Sequence, residues 1–156
     1  MKKIGEYTAR GIVTEDQTVA GTPQQIPLFD GSFKTAYRVK EFKIWGSSFG
    51  GGSEADVMGK LSKNDDGVVT TANFLRADDD NQIAWASSQA DTEHFINAVS
   101  IIDPDNLIVE DLYVYVKCRG TSSNAVNYLV IMEKYEITDW QGALAMARDR
   151  AQGDVS

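Results

Sequence analysis

The chain has 156 residues, 42% hydrophobic and 24% charged, which is the size and balance of one globular domain able to bury a core without cross-links. Its net charge of −8 opposes a nucleic-acid surface, because phosphates call for a basic partner, and it opposes anionic membranes for the same reason. No apolar run approaches the roughly 20 residues of a membrane-crossing helix, and the N-terminal MKKIGEYTARG lacks the apolar stretch of a signal peptide.

In chain order, Glu6–Val13 is a short β-prone run. Thr14–Gln25 is polar, contains Gly21 and Pro23, and is expected to be a loop or an extended arm. Ile26–Gly31 reads as a strand edge ended by the Asp30-Gly31 turn signal. Thr35–Trp45 is a strong strand with a flaw in its alternation: Tyr37 and Val39 share one face, Phe42 and Ile44 the other. A regular strand cannot change parity and keep one face buried, so a bulge or a move between sheets is expected near Lys40–Glu41. Gly46–Ser53 is a Gly/Ser loop centred on Phe49. It lacks both the lysine of a phosphate-binding loop and the G-x-G-x-x-G spacing.

Ala55–Ser62 is a further strand and Lys63–Gly67 a turn. Val68–Leu75 reads as strand or irregular, Arg76–Asn81 as a polar break, and Gln82–Ser88 as a short strand. Gln89–Ser100 is expected to be a loop with one helical turn. Asn106–Cys118 is the longest β-favouring run, and Val126–Ile137 is apolar on both faces through its middle. With the polar Arg119–Ala125 between them, the two predict an antiparallel hairpin in the middle of a packed structure.

The C-terminal stretch differs. Thr138 and Gln141 fit a capping box, Asp139 suits the start of a helix dipole, and Arg148 and Arg150 suit its end. Trp140, Leu144, Ala147 and Ala151 fall on one helical face, and Gly153 is a natural stop. The chain therefore reads as a mainly β protein, an antiparallel β-sandwich of jelly-roll type with one C-terminal α-helix. Residues 1–25 form an N-terminal strand and arm, 26–137 the sandwich, and 138–156 the helix and tail.

Catalytic and metal-binding motifs are weak. Cys118 is the only cysteine and His94 the only histidine, so no disulfide can form within the chain and no zinc spacing exists. Cys118 lies in an apolar run and reads as a small buried hydrophobe, with no motif to support a Cys–His pair. G-x-S-x-G is absent from the sequence. The acidic groups Asp65/Asp66, Asp78/Asp79/Asp80 and Asp103/Asp105 suggest calcium, yet no EF-hand pattern frames them, and they read as solvated loops.

Asp103-Pro104-Asp105-Asn106 fits a type I turn. Beyond it Glu110 and Asp111 are neighbours, so on a regular strand they point to opposite faces and cannot act on one substrate atom. One of them is expected to meet a cation such as Arg38 or Lys43, or a subunit boundary. The expectation is a protein without enzymatic activity, metal or cofactor. Trp45, Trp85, Trp140 and most Tyr and Phe read as core. Phe49, in its Gly-rich loop, reads instead as a residue seeking a partner surface.

Five stretches in order, GEYTARG, IPLFDGSFKTAYRVKEFKI, QIAWAS, IDPDNLIVEDLYVYV and NYLVIMEKYEITDWQGALAMARDRAQ, cover more than half the chain. Together they resemble small virion structural proteins of tailed bacteriophages, chiefly marine ones. The resemblance implies a virion component, made in the host cytoplasm, and the chain's length and acidity add the expectation of a capsid-associated decoration (cement) or minor capsid protein. It implies contacts with the major capsid protein or other virion proteins, and a homo-oligomer, expected to be a trimer. The Met1–Gln25 segment would be an arm between neighbours, and the C-terminal helix, with Trp140, Arg148 and Arg150, would lie against one. Two other readings stand beside this: a tail or neck component, and a carbohydrate (receptor)-binding module motivated by Phe49 and the tryptophans.

Overall fold

The computed structural model describes residues 1–15, 23–31, 33–46, 56–65, 74–89, 97–118 and 124–138, with Leu144 and Ala147. Among the described residues, eight strands form: β1 (Lys2–Glu15), β2 (Gln24–Ile26), β3 (Thr35–Gly46), β4 (Val57–Ser62), β5 (Gln82–Gln89), β6 (Asn97–Ile102), β7 (Leu112–Cys118) and β8 (Asn124–Glu136). They make two sheets, β1-β8-β3 and β2-β7-β4-β5-β6, and every strand pairing is antiparallel. The protein is thus mainly β. Of the expected C-terminal helix only Leu144 and Ala147 are described, both helical in backbone and exposed, and the rest lies outside the described residues.

The pairing is nested. The first strand pairs with the last, the second with the seventh, and the fourth with the fifth. β3 takes the other side of β8, and β6 extends the second sheet beyond β5. Both sheets bury alternate residues in one shared core. Ala9, Val13, Phe42, Ile44, Val130 and Met132 come from the first sheet, and Val57, Leu61, Ala86, Leu112, Val114 and Val116 from the second. Cys118 joins this core as a free, buried thiol.

The parity change in β3 is a bulge. The register passes from Val39 opposite Met132 to Glu41 opposite Ile131, so Lys40 is the extra residue and both Val39 and Phe42 reach the core.

The expected hairpin is not formed. β7 pairs with β2 and β4, whereas β8 pairs with β1 and β3, so the two runs lie in different sheets. Being apolar on both faces suits each for an interior place in its own sheet. On the outward face of β8, Leu129 sits in register between Arg10 and Lys43, whose long stems can shield it. On the outward face of β7, Tyr113 and Tyr115 pack with Phe74. The Lys60 ammonium stands 5.3 Å from the Phe74 ring and 4.9 Å from the Tyr115 ring, and its side chain is buried there.

The Asn106–Cys118 run is also not one strand. After β6, Asp103 accepts hydrogen bonds from the Asp105 amide (3.1 Å) and the Asn106 side chain (2.8 Å), which closes the Asp-Pro turn. Ile108 then exchanges two backbone hydrogen bonds of 2.8 Å with Tyr37 of β3. The chain thus touches the opposite sheet before returning as β7. Residues 97–100, expected as the end of a loop, join residues 101–102 in strand β6, where Ala98, Ser100 and Ile102 fall in register with Ser88, Ala86 and Ala84.

On the first sheet, Glu133 accepts hydrogen bonds from the Tyr135 hydroxyl and from Lys3 Nζ (3.0 Å), with Lys40 Nζ at 3.9 Å. These partners, Tyr135 first and Lys3 next, hold the Glu133 carboxyl below its ordinary value of 4.5. A lowered folded-state value means that the stabilisation is complete above the ordinary value and is lost as pH falls through the folded one. Glu133→Gln is expected to be less stable than the parent at neutral pH, with the gap closing below about pH 4.5. Urea midpoints measured at both pH values check this, and a gap that does not change with pH would contradict it.

Candidate binding cleft

A polar concavity among the described residues is a cleft of about 290 Å³ at one end of the second sheet. One wall is the 63–65 turn that leaves β4, with Lys63, Asn64 and Asp65. The facing wall is the start of β7, with Glu110, Asp111 and Tyr113, and Phe29 closes the rim.

Asp111 organises one side. Its Oδ1 accepts the backbone amides of Leu28 (2.9 Å) and Phe29 (3.2 Å), and its Oδ2 accepts Gln25 Nε2 (2.5 Å). The carboxylate therefore ties the segment after β2 to the start of β7 and sets Phe29 in place. Amide donors take Asp111, which precedes β7, where the chain is not yet a regular strand. With three donors on its two oxygens, Asp111 acts as a structural acceptor.

Tyr115, fully buried, donates its hydroxyl to Asp65 (3.3 Å) and so steadies the opposite wall. Lys63 adds a bond from its ammonium to Asn106 Oδ1 (3.3 Å), and its backbone amide donates to the Asn81 carbonyl (2.9 Å). The Tyr113 phenol is pushed above its ordinary 10.0, first by burial and then by Asp111, Asp65 and Glu110. It stays neutral at physiological pH, with a hydroxyl able to donate and accept.

Phe29 of the lining meets Phe33 with ring centroids 5.9 Å apart and planes tilted by 49°, and the two are 41% and 38% exposed. Gly31 between them has φ +84°, the left-handed conformation that lets the Asp30-Gly31 turn bring both rings to one side.

The expected contact residues Phe49, Trp140, Arg148 and Arg150 lie outside the described residues, as does His94. Trp45 and Trp85 are half-buried, and Trp85 donates its indole N–H to Gln82 (2.9 Å). Of the acidic groups, Asp78 forms a bidentate pair with Arg76 (2.9 and 2.5 Å). Asp79 accepts the Asn81 amide (3.0 Å), so these carboxylates shape their own turn. Among the described residues, no three His, Cys, Asp or Glu side chains form a metal-binding group. Sequence reasoning passed over Phe29, Phe33 and Tyr113. The available signal was two phenylalanines astride a tight Asp-Gly turn, more apolar surface than such a turn can bury. Compared with known proteins, the chain matches no family model, and no curated protein matches it in sequence.

Proposed function

We propose that the chain is a non-enzymatic virion structural protein with a jelly-roll β-sandwich fold, which binds neighbouring capsid subunits as a decoration or minor capsid protein. The observation that carries this reading is the nested pairing of β1 with β8, β2 with β7 and β4 with β5. A long antiparallel ribbon rolled on itself gives that order, and this architecture recurs in viral capsid and lectin domains. Its fourth ribbon pair would join β3 to β6. Here β6 stays on β5, and Ile108, just downstream of β6, bridges β3 instead. The five sequence stretches that resemble phage virion proteins supply the virion context, and the net charge of −8 turns the protein away from packaged DNA.

Assembly needs an adhesive surface, and β6 supplies a candidate. It is the terminal strand of its sheet, and none of its residues, Asn97–Ile102, is charged. Val99 and Ile101 on it are 59% and 64% exposed. In a strongly acidic chain this edge is where a second copy can approach without like-charge repulsion. The mass in solution is then expected to be a multiple of the 17.1 kDa chain. Ile101→Lys is expected to weaken self-association about tenfold or more while leaving the fold intact. Light scattering after size exclusion reads both, and an unchanged oligomer would move the interface elsewhere. Immunogold labelling of virions tests location: label over the shell supports the reading, while label confined to the tail, or none on virions, overturns it.

A further inference from the structure

We propose that the Phe29/Tyr113 cleft binds a neutral or amino hexopyranose unit of a glycan. Three properties of the cleft point to that chemistry. Its volume, about 290 Å³, lies at the lower end of small-molecule sites, so it suits one ring of a sugar and not a larger cofactor.

Its lining joins two aromatic rings, Phe29 and Tyr113, to polar and charged groups. A pyranose has the matching division, with an apolar C–H face and a girdle of hydroxyls. The half-exposed Phe29 ring, backed by Phe33 at 5.9 Å, offers a platform for the C–H face. The carboxylate of Asp65 and the amide of Asn64 are planar groups that can meet two adjacent hydroxyls at once, and the neutral Tyr113 phenol can donate to a third oxygen.

The charge of the lining sets the class further. Asp65, Glu110 and Asp111 outnumber the single ammonium of Lys63. The surplus of negative charge disfavours sugars that carry a carboxylate, and it favours neutral ones or those with an amine. The platform is also fixed in advance. Asp111 holds the Phe29 backbone amide at 3.2 Å, and Tyr115 holds Asp65, so little ordering remains to be done on binding.

Sugar binding and virion location are measured separately, so either can fail while the other stands. The test is titration of the full-length chain, by calorimetry and by NMR of the phenylalanine and tyrosine rings. The probes are methyl glucoside, methyl mannoside, methyl galactoside, glucosamine and glucuronate, with tetralysine as a cationic non-sugar. At least one neutral or amino sugar is expected to bind with a Kd on the order of millimolar, shifting the Phe29 and Tyr113 ring signals. Glucuronate is expected to bind at least about tenfold more weakly. Phe29→Ala is expected to weaken binding about tenfold, and Phe29→Tyr, which keeps the ring, to retain it. Asp65→Asn keeps the planar shape and serves as a second variant if Phe29→Ala does not fold, with a several-fold loss expected. The proposal is overturned if no sugar shifts those rings, if the affinity is indifferent to Phe29→Ala and Asp65→Asn, or if tetralysine alone occupies the cleft.

Discussion

Gly59→Val is expected to destabilise the fold by about 3 kcal/mol, at the upper end of what over-packing costs. Gly59 lies at the middle of β4, opposite Ala86 of β5 and Val116 of β7. A Cβ there would stand 2.9 Å from the Tyr115 carbonyl oxygen and 3.0 Å from Ile44 Cδ1. The first contact is backbone held by the β4–β7 ladder, and the second belongs to a fully buried side chain of the opposite sheet. Relieving the first contact would loosen the β4–β7 ladder, and relieving the second would force Ile44 into another rotamer within a filled core. Gly11→Ala makes a useful contrast. Its Cβ would meet the Tyr128 hydroxyl at 2.8 Å, but that is the end of a side chain, and β1 is an edge strand. A smaller loss, about 1 kcal/mol, is expected. Urea denaturation of the variants gives the comparison, and a Gly59→Val protein as stable as Gly11→Ala would contradict the packing account.

Asp111→Ala is expected to cost about 2–3 kcal/mol. It removes the acceptor for the Leu28 and Phe29 amides and for Gln25, and the Leu28 amide is partly buried. Asp111→Asn keeps one acceptor oxygen and is expected to lose roughly half as much. Because the same carboxylate positions Phe29, both variants are expected to weaken any ligand of the cleft as well as the fold. A denaturation series on the two variants decides the matter. Equal stability of Asp111→Ala and the parent would mean that water replaces the carboxylate at no cost.

Strand positions were legible where one face alone is buried. The parity break at Lys40–Glu41 announced the β3 bulge because side-chain alternation is a local property of the chain. Pairing was not legible. β7 and β8 look alike in sequence and are adjacent along the chain, yet the partners of each lie far away along it. β6 escaped because its residues, Asn97–Ile102, put polar and apolar side chains on both faces, without the alternation that marks a half-buried strand. The site was half legible: Asp111 stood out as an acid beside an apolar run, but its role needed Leu28 and Phe29 brought to it from 82 or 83 residues away. Phe29 read as part of a strand edge, and its place in the cleft rests on the hydrogen bond from its amide to the distant Asp111.

The central place of β8 in its sheet also sets an order of events during synthesis. Lys2 lies opposite Glu136, and Thr35 opposite the same residue from the other side. Among the described residues, neither β1 nor β3 has a ladder partner until β8 has left the ribosome. The neighbouring sheet can start earlier, from the β4–β5 pair, whose members are close in sequence. Contacts of such long range make for slow folding, on the scale of milliseconds to seconds. Over that interval β1 and β3 wait unpaired, so a chain cut short before residue 124 would release two sticky strands where the finished protein has one three-stranded sheet.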